Sequence, residues 1–506
     1  MSPLAKSGRL AAMTIVNRVL FADPVPTLDD YVSNGGGQGL EAARKVERDV
    51  VIAELEASGL RGRGGAGFPT GTKWRTVAGH ASPVVATTVV VNAAEGEPGT
   101  FKDRTIIRAN PYHVLEGALI AAYAVGAKQI VFGMKKTFRR EVERVRAAVE
   151  EAYKAGWVDP DEVSITVFEG PTEYLYGEET ALLECIAGRY PFPRIAPPFR
   201  RGVVEVVENH EEAASGSGLA APIDMAGPEE ESLAPPTLVD NVETLANVPG
   251  IVAKGAAWFR EYGTEKSPGT IVCTVTGSVR RPGVAEVPMG TPLREVIDAI
   301  SGGAAPGRRI QAVLPGVASG LVREDQLDTP VTYEAMSEIG SGVGSAGFMV
   351  FDDTDDLVAV AAGVSRFLAV ESCGQCTPCK QDGLALSELL ARVSRSEAEE
   401  NELQEIADRV ATVGDRARCY LALQHQAVLS SVIERFAEPL RAHVSGAAEG
   451  VEPVLIAEMV DIQRTRTIVD ERFRDKQPDW TYDEEYSGQS PADRFGEHRS
   501  PQDLET

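Results

Sequence analysis

Glu371-Ser-Cys373-Gly-Gln-Cys376-Thr-Pro-Cys379-Lys380 is the stretch from which the rest of this chain is read. C-x2-C-x2-C spacing gathers three thiolates in one short loop, and Cys419 follows on the far side of a predicted helical hairpin. Thr377 and Pro378 read as N-cap and first helical residue. That sets Cys376 and Cys379 at a helix N-terminus, where unpaired N–H groups and the dipole favour anionic sulfur. Zinc is the chemical alternative, but structural zinc sites usually pair two CxxC-like knuckles. Three ligands within seven residues plus one distant cysteine suit a [4Fe-4S] cubane better.

The chain around this loop has 506 residues, enough for about three to five structural units at roughly 100–200 residues per domain. It is 43% hydrophobic with no apolar run of about 18 residues, so it reads as having no membrane segment of its own. Met1-Ser-Pro-Leu-Ala-Lys6 lacks a signal-peptide pattern, and the expectation is a cytoplasmic protein. A net charge of −25 disfavours nucleic acid as a partner and means that any anionic ligand must meet a local positive patch. Six cysteines make no disulfide framework at this length; Cys185 and Cys273 fall in apolar segments and read as buried structural thiols.

Residues 1–40 form an N-terminal segment ending in Gly35-Gly36-Gly37. A helix over 41–57, read from Val46, Val50, Ala53 and Ala57, leads into a glycine-rich stretch at 58–74. A β-branched strand over 84–91 then ends in the turn-forming residues 92–99. Helix 111–125 closed by Gly126, strand 129–133, helix 137–155 and strand 164–169 continue an α/β domain over 41–262, with an acidic insertion at about 205–232. Residues 266–350 read as a small α+β module: a hairpin of strands 270–276 and 283–287, a short helix after Thr291-Pro292, and a strand over 309–314. Helices over 356–370, 377–393, 397–410 and 416–444 make a bundle at 353–445 around the cysteines. The polar tail, 446–506, is expected to hold a single helix followed by disorder.

Gly62-Arg-Gly-Gly-Ala-Gly67 spells GxGxxG but follows a helix, where the usual dinucleotide fold requires a strand. A flexible loop is the bland reading. Against it, Arg61, Arg63, Lys73 and Arg75 surround the loop in an otherwise acidic chain, which suits a phosphate or pyrophosphate cradle formed by backbone N–H groups and cations. Phe68 beside the loop suits stacking on a flat ring, while Trp74 reads as core. Glu95, Glu97, Glu178 and Glu179 are turn acids at strand ends. Capping or solvation explains most such acids; next to a phosphate loop they also suit ribose hydroxyls or a carboxamide.

RGRGGAGFPTG-x-KW at 61–74, EGEPGTFKDR at 95–104, YGEETALLE at 176–184, PPF at 197–199, NVETLAN at 241–247, RRPGV at 280–284 and ESCGxCTPC at 371–379 stand in one order. Together the series resembles the NADH-binding flavoprotein subunit of respiratory complex I and the related diaphorase subunits of soluble hydrogenases and NAD-linked formate dehydrogenases, over about residues 41–445. The resemblance implies a Rossmann-like FMN/NADH domain, a ubiquitin-like SLBB module and a helical bundle with one [4Fe-4S] cluster. It implies that Gly62, Gly64, Gly65, Gly67, Lys73, Asn92, Tyr174, Gly177, Glu178 and Asn241 serve FMN. By the same resemblance Phe68, Glu97, Glu179 and Phe199 serve NAD(H), with Glu95 in the same turn, and Cys373, Cys376, Cys379 and Cys419 ligate the cluster. The implied activity is hydride transfer from NADH to FMN and single-electron transfer through the cluster to a partner subunit or a ferredoxin, in a complex that can be membrane-associated. Ala94, Asp240 and Thr76 depart from the family's pattern, and the alternative they carry is a cluster-bearing electron-transfer subunit with a weakened or lost flavin site.

Overall fold

Valines 89–91 have no exposed surface, and a strand buried on both faces is what a parallel sheet covered by helices requires. The computed structural model describes residues 15–81, 85–194 and 236–478. The valine run lies in β1 (Thr87–Ala93), which pairs in parallel with β2 (Ala127–Lys135) and with β4 (Thr237–Asn241); β3 (Ser164–Gly170) adds to β2, giving the order β3-β2-β1-β4. Val89 and Val91 face a core that includes Leu115 and Leu245, from helices Pro111–Val125 and Val242–Lys254. Val90 faces Val131, Val239 and Leu182 on the other side. The register sets Asn92 beside Asn241 at the carboxyl ends of adjacent strands. Ligands in open α/β sheets bind at such ends.

The helix expected over 41–57 is two, Gln38–Ala43 and Arg48–Ser58. Its buried stripe is Val51, Ile52, Leu55 and Ser58; Val46 and Val50 are 39% and 51% exposed. The larger apolar side chains decided which face packs inward, and the Val46, Val50, Ala53, Ala57 frame was the wrong one of two overlapping patterns.

The small module is a five-stranded sheet ordered β6-β5-β9-β7-β8, from β5 (Thr270–Gly277), β6 (Gly283–Pro288), β7 (Ile310–Pro315), β8 (Val322–Arg323) and β9 (Gly347–Asp352), with helix Leu293–Ser301 packed on it. The cysteine bundle comprises Leu357–Val370, Thr377–Ser394, Glu400–Thr412, Leu421–Arg435 and Ala437–Val444; the last expected helix divides at Phe436.

Among the described residues, no helix forms beyond Ala437–Val444 except a single 3-10 turn at Glu471–Arg474, which corrects the expectation of a helical tail. Residues 454–476 instead strap the bundle to the four-stranded parallel sheet. Val454 N–H donates to Ala359 O, Ile456, Ala457 and Met459 are buried, and β10 (Met459–Gln463) pairs with β11 (Arg466–Val469). Glu458 pairs with Lys135, Asp461 with Arg108 at 2.9 Å, and Lys476 with Glu371 at 2.6 Å. Polar composition hid this because the strap is held mainly by ion pairs to distant residues and by a few apolar anchors. The acidic insertion and the rest of the tail lie outside the described residues.

Phe473 is 7% exposed and packs on Phe367 with ring centroids 5.1 Å apart. Phe473→Ala should lower stability by about 3 kcal/mol, as a buried Phe truncation does. Thermal unfolding of the purified protein checks it.

Candidate cofactor sites

The glycine loop is closed by a backbone bridge between Arg61 and Pro69 and by Gly62 N–H donating to Phe68 O at 2.8 Å. Gly65 has φ +118°, a conformation that strains any side chain-bearing residue. At Gly64 a Cβ would stand 3.2 Å from Asn241 Cβ, so the bare backbone is what lets the loop approach the strand end.

Only one of the four cations expected at the cradle faces it. Lys73 Nζ donates to Glu179 at 2.6 Å and to Val239 O at 2.6 Å. Burial works against its charge, but Glu179 and Asp240 outweigh that and keep the ammonium above its ordinary range. Arg63 is 2% exposed and points into the small module, bonding Thr270 O and Pro268 O. Arg61 donates to Gly67 O and stacks over the Tyr333 ring; Arg75 pairs with Glu56 at the surface. The expected convergence of four cations is therefore corrected to one, because partners far away in sequence take the other three.

Asn92 Nδ2 donates to Gly177 O at 2.8 Å, which joins the end of β1 to the turn Tyr174–Gly177. Glu178 caps helix Glu179–Ile186, accepting from Thr180 N and Ala181 N. Asn241 caps Val242–Lys254 and donates to Asp103 Oδ2 at 2.7 Å. Glu95 does not present an acceptor to the cradle: its oxygens take Asp103 N–H, Arg104 N–H and Arg104 Nε–H, so it braces the turn. Glu97 accepts from Tyr174 Oη and from Val317 N–H at 2.6 Å. Burial pushes its pKa up to about 7, with Tyr174 and Val317 pulling back. Phe68 is 54% exposed beside the loop, whereas Trp74 is fully buried and donates to Asp240 at 2.6 Å. Phe199 lies outside the described residues.

A cavity of about 650 Å³ lies beneath the C-terminal strap, among Arg108, Lys135, Arg140, Phe473 and Lys476; Tyr174 borders it, but no glycine-loop residue does, so it is separate from the cradle. Contributions that the sequence did not signal come from Tyr333, Val317 and Gln424. Each touches the site from at least 220 residues away, as in the Val317–Glu97 bond, and no local pattern marks such a residue.

Cys373, Cys376, Cys379 and Cys419 line one small cleft with Leu175, Pro193, Ala417 and Leu421. Cys376 itself is the N-cap of helix Thr377–Ser394, one residue earlier than Thr377 was expected to be. Gln375 Nε2 donates to Cys373 Sγ and Ser372 Oγ meets Cys379 Sγ, each at 3.3 Å. Burial pushes the Cys379 thiol up to about 11 and raises Cys373 and Cys419. Such a cleft disfavours bare thiolates and suits them once a cationic metal core is present. Four cysteines lining one small cleft suit the corners of a four-iron core.

A glycine cradle thus lies at the carboxyl end of a parallel sheet and is joined through the turn Tyr174–Gly177 to a four-cysteine bundle. The Nuo51 FMN-binding domain matches residues 55–250, the SLBB domain 272–319, and the NADH-ubiquinone oxidoreductase-F iron-sulfur binding region 359–443. The F subunit of the NADH-quinone oxidoreductase of Streptomyces coelicolor is 35% identical over 84% of this chain and 90% of its own length; that of Aquifex aeolicus is 33% identical over 85% and 95%. Among solved structures, an NAD+-reducing [NiFe]-hydrogenase in the H2-reduced state superposes with a TM-score of 0.69 and 30% identity, over 83% of this chain and 67% of that chain. The chain belongs to the family of NADH-quinone oxidoreductase F subunits.

Cys419→Ser should lose iron and acid-labile sulfide, whereas Cys273→Ser, at a fully buried thiol in β5, should keep both; chemical analysis of anaerobically purified protein separates them. Glu243→Gln should cost about 3–5 kcal/mol in thermal unfolding, because the buried cations Lys102 and Arg63, 2.8 Å and 3.9 Å away, then share one carboxylate fewer.

Proposed function

We propose that this chain oxidises NADH at the cradle and delivers electrons singly to a partner protein. When bound, FMN accepts the hydride and the [4Fe-4S] cluster carries single electrons onward. Lys73 and the N–H groups of Gly64, Gly65 and Gly67 would hold the flavin phosphate, with Gly62 closing the loop beside it through its bond to Phe68 O. Asn92, Tyr174, Gly177, Glu178 and Asn241 would shape the wall against the ring and ribityl chain. Phe68 would stack on the nucleotide. Glu97 and Glu179 would accept from its carboxamide and ribose, and the charge of Glu179 would disfavour a 2′-phosphate. Cys373, Cys376, Cys379 and Cys419 would ligate the cluster. No side chain need act as nucleophile; the protein positions and excludes water.

The observation that carries this reading is the convergence of the glycine loop, Lys73, the Asn92–Gly177 contact and Asn241 at one sheet end, one turn away from the cysteine cleft that Leu175 lines. The three departures do not displace it. Ala94 is packed in the core beside Tyr176, Thr76 bonds Thr72 O within its own helix, and Asp240 is tied to Trp74. The working units are 41–262, 266–350 and 353–445. The acceptor is an iron–sulfur partner subunit or a ferredoxin within a complex I-like or hydrogenase-like assembly. No helix among the described residues is long and apolar enough to cross a membrane, and the cytoplasm is the compartment that suits a reduced cysteine set.

Purified protein should show a flavin spectrum and reduce ferricyanide with NADH; full iron and sulfide with neither would sink the reading. Because Glu97 sits near 7, it is neutral well below that pH and ionised above it. As an acceptor it is needed ionised, so kcat/KM for NADH should rise as pH passes through about 7, and Glu97→Gln should flatten that limb.

A further inference from the structure

Tyr174 is gripped from the cysteine bundle at two points. Its backbone N–H donates to Glu371 Oε2 at 2.9 Å, and its hydroxyl receives Gln424 Nε2–H at 3.1 Å. Glu371 stands just before Cys373 and Gln424 just after Cys419, so both grips come from the segments that carry the cysteines. The Phe367 ring meets the Tyr174 ring edge-on with centroids 5.3 Å apart, which fixes the side chain between them. The hydroxyl donates in turn to Glu97, whose other oxygen takes Val317 N–H from the small module. Gln424 is 8% exposed and sits on helix Leu421–Arg435.

We propose that Gln424 is a positioning residue for the flavin site: from the cluster bundle it orients the Tyr174 hydroxyl and, through it, aims the Glu97 carboxylate and favours its ionised form. A phenol has one proton. With Glu97 ionised that proton points to the carboxylate, and the oxygen's lone pairs are open to Gln424 Nε2–H. Donation into a hydroxyl polarises it and makes it a stronger donor in its turn. The Gln424 carbonyl oxygen lies further off, at 3.3 Å from the same hydroxyl. Among the described residues, Tyr174 is the titratable group that acts on Glu97, and the backbone of Gly316 and Val317 stands against the same carboxylate. Loss of the Gln424 donor therefore weakens Tyr174 as a donor and leaves burial to push Glu97 higher. The cluster bundle would thus set the pH range in which the nucleotide site works, without touching the nucleotide.

This rests on the reading of Glu97 as a nucleotide acceptor. The test uses FMN- and cluster-loaded wild type, Gln424→Leu, Tyr174→Phe and the double variant. NADH:ferricyanide kcat/KM is followed over about pH 5–9, and NAD+ is titrated into oxidised protein by flavin difference spectrum. Gln424→Leu should move the acid limb up by about half a pH unit and weaken NAD+ binding about three-fold below it, the size of one modest hydrogen bond. Iron, sulfide and FMN should be unchanged. The double variant should match Tyr174→Phe alone, since both break one chain of bonds. A Gln424→Leu limb that superposes on wild type or moves down, or effects that simply add, overturns the proposal. Should Gln424→Leu lose its cluster, Tyr174→Phe decides: an unmoved limb there refutes it equally. Wild type that oxidises no NADH would refute the functional reading instead, and the NAD+ titration would still judge the link.

Discussion

Lys102 and Glu243 meet at 2.8 Å with each side chain 1% exposed, and much of the molecule is arranged so that this buried pair can exist. An ion pair out of water survives only if its remaining valences are filled. Here Asp103 takes Lys102 at 2.7 Å and Asn241 Nδ2 at 2.7 Å, and Glu243 Oε1 accepts Val272 N–H from β5 at 2.8 Å. Burial pushes Asp103 up to about 6 while Lys102 pulls it back. Arg63 lies 3.9 Å from Glu243 and bonds the first residue of β5. One cluster thereby ties the glycine loop, the end of β4, helix Lys102–Ala109 and the small module. The loop is held in its approach to Asn241 by charges behind it, while Lys73 stays at the cradle.

That arrangement explains why the small module belongs in an electron-transfer chain at all. Tyr333 backs Gly67, where a Cβ would stand 2.6 Å from its ring, and donates to Gly62 O at 3.0 Å; Val317 holds Glu97. The module acts as the wall against which the cradle is cast. On the other side, the turn Tyr174–Gly177 joins the cradle to the cysteine cleft: Gly177 meets Asn92, and Leu175 lines the cleft. Such a shared turn fixes the separation of the two sites. The strap over residues 454–476 adds a second tie between bundle and sheet, through Glu458, Asp461 and Lys476.

What the sequence determined by itself was local chemistry. Three thiols within seven residues converge whatever the rest of the chain does, the glycine-rich stretch supplies backbone that can take a positive φ, as at Gly65, and the β-branched run Val89 to Val91 suits a strand buried on both faces. The order of motifs carried the family, and with it the two cofactors. Tertiary structure decided where charges point and which faces pack. Arg63 and Lys73 are both basic residues of the glycine-rich stretch, yet one pairs inward because carbonyls of residues 268 and 270 arrive there, and the other stays at the cradle because Glu179 does. Glu95 and Glu97 sit two residues apart, and Arg104 takes the first for structure while Tyr174 takes the second for the site. Direction of this kind is a property of partners brought together across hundreds of residues. Burial then fixes protonation, which is why the pKa of Glu97 could be read only after the chain was folded.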